Sequence, residues 1–185
     1  MNIIVKPYGS DLCYCRPDTT WERENRDLYS PDCVDEWQWA PVIFARISKA
    51  GKCISRKFAE RYYDSVNFGA LLYIGGTATA FSSCADHTSL LPGPLYNPVV
   101  LDNAENSFEV KKNGTCIHLS QTGHETRNSI EEAICKASQL TSLRIGDMVA
   151  VELAVPATLA RRAEGAMEFN GIFCGNSIFE NKILF

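Results

Sequence analysis

The chain has 185 residues, of which 45% are hydrophobic, 22% charged and 10% aromatic. This composition is typical of a soluble globular domain and excludes collagenous and disordered chains. The formal net charge is -4 and no run of Lys and Arg exceeds two residues, which argues against a surface that follows nucleic-acid phosphates.

Two stretches bear on export and membrane insertion. The apolar residues at the N-terminus stop at Pro7, which leaves them too short to form the core of a signal peptide. The run 65–85 carries no charge, but its glycine, serine and threonine residues make it too polar and too broken for a transmembrane helix. We therefore expect a cytoplasmic protein that is not inserted in a membrane.

The eight cysteines show no repeated spacing and include no CxxC pair. Cys13 and Cys15 flank Tyr14 and would project from one face of a strand, but no second pair of ligands lies nearby to complete a metal site. In a chain without an export signal, we expect reduced, buried thiols that act as small hydrophobic side chains.

The first half of the chain predicts strands separated by one short helix. Residues 2–5 form an expected edge strand, and the β-branched and aromatic run 42–48 predicts a strand that ends at the turn 49–52. Ser55 is placed to cap a helix over 56–65 whose apolar residues fall on one side. The nearly apolar segment 67–74 predicts the next strand.

The segment 107–119 carries the strongest local signal. Phe108, Val110, Ile117 and Leu119 alternate with polar residues on either side of Asn113-Gly114. This pattern predicts a β-hairpin closed by a type I′ turn.

A second helix and several strands complete the predicted fold. Ser129, followed three residues later by Glu132, has the spacing of a capping box, and it opens a helix with one apolar face, composed of Ile130, Ala133, Ile134, Ala137 and Leu140. Strands are expected at 148–155, 166–169, 171–173 and 182–185. The result is a mainly β, α+β fold with two short helices in a single domain over 1–185.

Short motifs over most of the chain match those of one enzyme family. Arg16-Pro17-Asp18-Thr19 is similar to a Lys-Pro-x-Thr segment, and Arg46-Ile47 and Gly51-Lys52-Cys53-Ile54 match an Arg-Ile and a Gly-Lys-x-Ile segment. Residues 58–66 and 143–149 are similar to a helix before a strand and to a Gly-Asp strand. Together these residues resemble the fumarylacetoacetate hydrolase family in its short, single-domain bacterial form.

The resemblance implies a fold, a chemistry and an assembly. Members of the family form a mixed, distorted β-roll and commonly pair as homodimers. They hydrolyse, isomerise or decarboxylate small 2-oxo acids with Mg²⁺, Mn²⁺ or Ca²⁺, which is held by a Glu-x-Glu pair on one strand and a carboxylate from the next. Relative to the family, the N-terminal part of this chain looks shortened and has no His between Ile4 and Arg16, where the family carries a general base.

The family's metal ligands are missing at the matching positions. With Arg46-Ile47 as the fixed register, the Glu-x-Glu triplet falls on Ala40, Pro41 and Val42, and with Gly69 as the next register the family's Asp falls on Leu71. None of these side chains has a ligand atom, so we expect no metal and no cofactor at this site. Loss of the buried carboxylates also removes a desolvation cost from the core.

Other departures concern substrate binding. The family's Thr-Gly-Thr-Pro segment falls on 151–154, which puts the anionic Glu152 where hydroxyls would hold a substrate carboxylate. The family's Lys falls on Ser83. The candidate ligand-binding residues, at positions that match the lost site, are Trp39, Ala40, Val42, Leu71, Ser83 and Glu152.

These observations favour a degenerate, non-catalytic scaffold or binding protein, in which Trp37 and Trp39 seal the former site or contact a partner. The alternative is a hydrolase, isomerase or decarboxylase with Mg²⁺ or Mn²⁺, acting on an acylpyruvate or oxaloacetate. Its rebuilt site would use Glu152, His87 or the acidic residues between Asp32 and Glu36. A third reading is a binding module for an apolar molecule in the vacated pocket.

Overall fold

The structure, a computed structural model, describes residues 1–76 and 79–185. Residues 77 and 78, inside the uncharged run 65–85, lie outside the described residues. Among the described residues, no helix combines the length and the hydropathy that a membrane crossing requires.

β-Strand is the main secondary structure of the described residues, which also include one α-helix, and the strands form two sheets. The elements in chain order are β1 (Ile3–Lys6), β2 (Tyr14–Arg16), β3 (Trp21–Glu22), β4 (Leu28–Tyr29), β5 (Glu36–Ile47), β6 (Tyr63–Ile74), β7 (Ser89–Leu90), β8 (Ser107–Lys112), β9 (Thr115–Gln121), α1 (His124–Leu140), β10 (Met148–Glu152), β11 (Ala157–Arg161), β12 (Met167–Phe173) and β13 (Asn176–Leu184). Short 3-10 helices lie at Asp18–Thr20, Arg56–Tyr62, Ala80–Ser83, Pro98–Asp102 and Arg162–Glu164.

The larger sheet is organised around β5. Its strand order is β2-β1-β10-β5-β6-β7-β3, and β11 pairs with the start of β5. β5 is antiparallel to β6 over nearly its whole length and to β10 over Val42–Arg46. The smaller sheet has the order β4-β13-β12-β8-β9. The predicted class, a mainly β fold with two helices, is confirmed. The two helices are α1 and the seven-residue 3-10 helix at Arg56–Tyr62.

The two faces of β5 contribute to different parts of the interior. Because successive side chains of a strand point to opposite faces, Trp37, Trp39, Ile43 and Ala45 face the main core, which they form with α1 and the smaller sheet. Val42 and Phe44 face the other side, in a second hydrophobic cluster. Trp37 and Trp39 are therefore buried in the main core, and their predicted contact with a partner is wrong.

The Asn113-Gly114 hairpin forms as predicted. β8 and β9 pair on either side of the turn, and both turn residues have positive φ, 48° for Asn113 and 79° for Gly114. The amide oxygen of Asn113 also accepts a hydrogen bond from the backbone N–H of Glu168, at 2.8 Å.

The predicted start of α1 is wrong. The helix begins at His124, with Gly123 at the N-cap, and Ser129 lies inside it, where its hydroxyl donates to the Thr126 carbonyl at 2.8 Å. The first turns are polar, so hydrophobic spacing does not mark them. The predicted apolar face is buried except for Leu140, which is 81% exposed.

The segment 56–65 also departs from prediction. It forms a 3-10 helix only to Tyr62, because β6 begins at Tyr63 and pairs with Ile47 of β5. The strand expected at 67–74 therefore begins earlier, at Tyr63. The strand expected at 42–48 also begins earlier, at Glu36, whereas the strand expected at 148–155 ends at Glu152.

The cysteines are not the buried core residues that the sequence predicts. Each of the eight, all within the described ranges, is exposed or half-buried, and the structure records no disulfide among them. Burial raises the pKa of the Cys13 thiol.

Candidate functional site

The positions that the sequence predicts to match the family's metal ligands lie next to one another in the larger sheet. Ala40 of β5 is the register partner of Leu71 of β6, and Val42 of β5 is the partner of Glu152 of β10. Ala40 and Val42 are two residues apart and so share one face of β5. Sheet pairing thus places Ala40, Val42, Leu71 and Glu152 close together.

Hydrocarbon fills the interior at this place. Val42 and Leu71 are fully buried in the second hydrophobic cluster, together with Ile3, Val5, Phe44, Leu91, Met148 and Ala150. The side chains of Tyr14 and Tyr73 pack against this cluster. The two tyrosines therefore separate the hydrocarbon from the surface above it.

A cavity of about 570 Å³ opens above the two tyrosines. We call it the tyrosine cavity. Its wall is formed by Pro7, Tyr8, Tyr14, Cys15, Tyr73, Thr79, Ser82, Ser83, Glu152 and Pro156. Of the candidate residues from the sequence, Ser83 and Glu152 line this cavity, whereas Val42 and Leu71 lie in the cluster beneath the tyrosines.

A chain of hydrogen bonds runs along the wall of the tyrosine cavity. The Tyr73 hydroxyl donates to Oε1 of Glu152, and the backbone N–H of Tyr8 donates to Oε2 of Glu152 at 2.9 Å. The hydroxyls of Tyr14 and Tyr73 are 2.9 Å apart. Because Tyr73 uses its proton on the carboxylate, Tyr14 is the donor between the two hydroxyls.

The electrostatics of the site keep Tyr73 protonated. Burial raises the pKa of Tyr73, and the neighbouring Tyr14 and Glu152 raise it further. Burial also raises the pKa of Tyr14. Both hydroxyls therefore remain donors across the physiological pH range, and the hydrogen-bond chain keeps its direction.

Arg16 lies behind the tyrosine cavity as a buried cation. Its guanidinium donates to the backbone carbonyls of Ser83 at 2.6 Å and Leu72 at 2.5 Å, and to the Thr88 hydroxyl at 3.1 Å. It also lies 5.0 Å from the centre of the Tyr73 ring. Burial lowers the pKa of this guanidinium, but Arg remains charged in proteins. Arg16 thus fixes β6 and the loop at Ser83 behind the cavity wall.

The donor set does not fit Mg²⁺ or Mn²⁺. A hard cation of this kind requires several oxygen ligands, with affinity set by their charge. Glu152 is the carboxylate that lines the tyrosine cavity, and its oxygens already accept from Tyr73 and Tyr8. Within 1–76 and 79–185, no group of three or more His, Cys, Asp and Glu side chains could hold a metal ion.

Three other candidates lie away from this cavity. Trp39 is on the opposite face of β5 and packs edge-on against Phe169, with ring centres 5.2 Å apart, so it does not line the site. His87 lines a different cavity. Asp35 and Glu36 form ion pairs with Arg162 and Arg161. The structure therefore does not bring Glu152, His87 and the acidic residues together into one rebuilt site.

Tyr14 and Tyr73 were not found by sequence reasoning. Tyr73 lies two residues after Leu71 and so on the same face of β6, which is a signal that could have identified it. Tyr14 reaches the site through the pairing of β2 with β1, and nothing in its local sequence predicts that pairing.

No family profile and no curated protein matches the chain in sequence. Solved structures do match it. A protein from Yersinia pestis CO92 assigned to the fumarylacetoacetate hydrolase family superimposes with a TM-score of 0.80 at 13% identity, over 99% of this chain and 92% of that one.

Two structures that carry enzyme names give similar values. Fumarylpyruvate hydrolase from Pseudomonas aeruginosa, in complex with Mn²⁺ and pyruvate, matches with a TM-score of 0.79 at 14% identity, over 100% of this chain and 90% of that one. 5-Carboxymethyl-2-hydroxymuconate delta-isomerase from Mycobacterium smegmatis matches with a TM-score of 0.78 at 12% identity, over 99% of this chain and 78% of that one. The chain therefore has the fold of fumarylacetoacetate hydrolase family proteins.

Proposed function

We propose that this chain is a non-catalytic binding protein with the fumarylacetoacetate hydrolase fold, and that its tyrosine cavity holds a small organic molecule without a divalent metal. The observation that supports this most is the hydrogen-bonded Glu152. It is the carboxylate of the cavity wall, and Tyr73 and Tyr8 already bind both of its oxygens. Ala40, Val42 and Leu71 supply no further ligand atom.

The wall of the tyrosine cavity also indicates what such a molecule would look like. Each proton in the chain of hydroxyls is already used, so Tyr14 and Glu152 present acceptor lone pairs to the cavity. A carboxylate ligand would be repelled by Glu152. The wall thus favours an uncharged or cationic molecule that donates hydrogen bonds, and it disfavours a 2-oxo acid.

The alternative is a metal-dependent hydrolase, isomerase or decarboxylase that acts on a small 2-oxo acid. The observation in its favour is the fold shared with fumarylpyruvate hydrolase, which holds Mn²⁺ and pyruvate. The ligands available in the cavity argue against a metal-dependent enzyme, because a single carboxylate that is already hydrogen-bonded binds a hard cation poorly.

Thermal unfolding in a titration with Mn²⁺ or Mg²⁺ distinguishes the non-catalytic binding protein from the metal-dependent enzyme. A ligand that binds only the folded state raises the unfolding midpoint. We expect no rise with either ion and no consumption of oxaloacetate or an acylpyruvate in its presence. A saturable rise that disappears in Glu152→Gln, together with substrate consumption, would establish the enzyme instead.

The homodimer is a further part of the proposal and rests on the resemblance to the family. Since Trp37 and Trp39 are buried in the main core, other surface residues would have to form the contact. Sedimentation velocity over a range of protein concentrations tests it. A single species with the mass of one chain at every concentration would rule the homodimer out.

A further inference from the structure

A second cavity lies on another part of the molecule. It has a volume of about 610 Å³ and shares no lining residue with the tyrosine cavity. Its apolar wall comes from Leu28, Tyr29, Pro31, Trp37 and Ala85, and His87 lies at its polar side. We call it the histidine cavity. A pocket that is mostly apolar and has a few placed polar groups is typical of small-molecule sites.

His87 is paired with a buried carboxylate. Its Nδ1 lies 2.9 Å from Oε2 of Glu22, whose side chain is 4% exposed, while the His87 side chain is 48% exposed. The other Glu22 oxygen accepts from the backbone N–H of Glu24 at 2.6 Å. The carboxylate is therefore held on one side by backbone and on the other by the imidazole.

This pairing fixes the tautomer of His87. A carboxylate only accepts hydrogen bonds, so Nδ1 carries the proton that it donates to Glu22, and in the neutral form of the ring the acceptor lone pair is on Nε2. Among the described residues, the hydrogen bond of the His87 ring is the one from Nδ1. The exposed edge of the ring thus offers one acceptor.

The backbone holds the ring in place. His87 has a φ of 59°, a left-handed conformation that costs free energy for a residue with a side chain. Its backbone N–H donates to the Thr19 carbonyl at 3.2 Å. The ring position is therefore fixed by two contacts with the segment 19–22, one from the backbone and one from the side chain.

The charges at the rim narrow the class of ligand. Asp27, Asp86 and Arg26 also line the histidine cavity, and all three are exposed. Arg26 is already paired with Glu24. The rim therefore carries excess negative charge, which disfavours an anion.

We propose that the histidine cavity binds a small, uncharged aromatic hydroxyl compound of the phenol class. The aromatic ring lies among Leu28, Trp37 and Ala85, and its hydroxyl donates to Nε2 of His87. Glu22 is a positioning residue that holds the proton of the neutral ring on Nδ1 and fixes the orientation of the ring. This site is independent of the function proposed for the tyrosine cavity.

The test uses fluorine NMR titrations of the full-length protein with 4-fluorophenol and with 4-fluoroanisole, which has nearly the same shape but no hydroxyl donor. We expect saturable binding of the phenol and about five- to tenfold weaker binding of the anisole, the effect of one neutral hydrogen bond. His87→Ala should lower the affinity for the phenol to that for the anisole and leave the affinity for the anisole unchanged. Leu140→Ser, at an exposed position that lines neither cavity, should change neither affinity.

Several outcomes would overturn the proposal. Equal affinity of the two compounds for the unmodified protein would show binding by apolar contact alone, and this comparison does not depend on whether His87→Ala folds. Phenol binding that is unchanged in His87→Ala would place the phenol outside the histidine cavity. Absence of saturable binding would exclude a phenol site.

Discussion

The hydroxyl of Tyr73 on β6 donates to the carboxylate of Glu152 on β10, across the strand β5 that lies between them. The β5 partner of Tyr73 is Gln38 and that of Glu152 is Val42, so Ala40 lies midway. The small Ala40 side chain leaves room for this contact. A glutamate at the same position would occupy that space.

Tyr73→Phe tests the energetic weight of this contact. The variant leaves Oε1 of the buried Glu152 without its donor, so the free energy of unfolding should fall by about 1–3 kcal/mol. Tyr14→Phe is the matched control, because it removes a bond between two neutral hydroxyls and should cost about 0.5–1.5 kcal/mol. Urea denaturation measures both. Equal stability of Tyr73→Phe and the unmodified protein would contradict the hydrogen-bond chain.

Arg16→Met should destabilise the fold strongly. The variant keeps much of the side-chain volume but removes the donors to the carbonyls of Ser83 and Leu72, and buried acceptors left unpaired cost about 1–3 kcal/mol each. Arg161→Met is the control, since its ion pair with Glu36 is exposed and should contribute little to stability. If both variants unfold at the same urea concentration, Arg16 does not fix β6 and the loop at Ser83.

His118 should make stability depend on pH. Its ring lies near those of Trp39 and Phe108, and burial lowers its pKa. The unfolded chain then binds a proton more readily than the folded one, so stability is full above the unfolded pKa of about 6.5 and is lost as the pH falls through the lower, folded pKa.

The measurement is chemical denaturation at a series of pH values from about 7 to about 5. His118→Gln, which cannot be protonated, should lose less stability over this range than the unmodified protein. Parallel pH profiles for the two proteins would show that His118 is not responsible.

Gly114→Ala should weaken the hairpin. Gly114 has a φ of 79°, where a Cβ atom is unfavourable, so the loss should be about 1–2 kcal/mol. Gly123→Ala is the control, because Gly123 has an extended φ of 170° that alanine also adopts. Chemical denaturation of both variants checks this, and a larger loss for Gly123→Ala would contradict it.

Local sequence chemistry predicts some elements of this fold well. The Asn113-Gly114 hairpin follows from the turn residues themselves. By contrast, the box formed by Ser129 and Glu132 satisfies the spacing rule but lies inside α1, because the Gly123 carbonyl accepts from Thr126 and Arg127 one turn earlier. β11 was missed because Ala157–Arg161 has no clear alternation, and its place depends on pairing with the start of β5.

The sequence likewise predicts one part of the candidate site and not the other. The apolar side chains at Ala40, Val42 and Leu71 are readable from the sequence once the register is fixed. The contact between Tyr14 and Tyr73 is not, because it joins residues 59 positions apart through four intervening strand pairings. The burial of Arg16 likewise depends on carbonyls from distant segments.

We propose that no divalent metal binds among β5, β6 and β10, where the positions matched to the family's metal ligands carry hydrocarbon side chains and a hydrogen-bonded Glu152. Anomalous scattering from crystals grown with millimolar Mn²⁺ tests it most directly. We predict no manganese peak among β5, β6 and β10, with the Tyr73 hydroxyl in contact with Glu152. A peak within coordination distance of the Glu152 carboxylate would contradict the account.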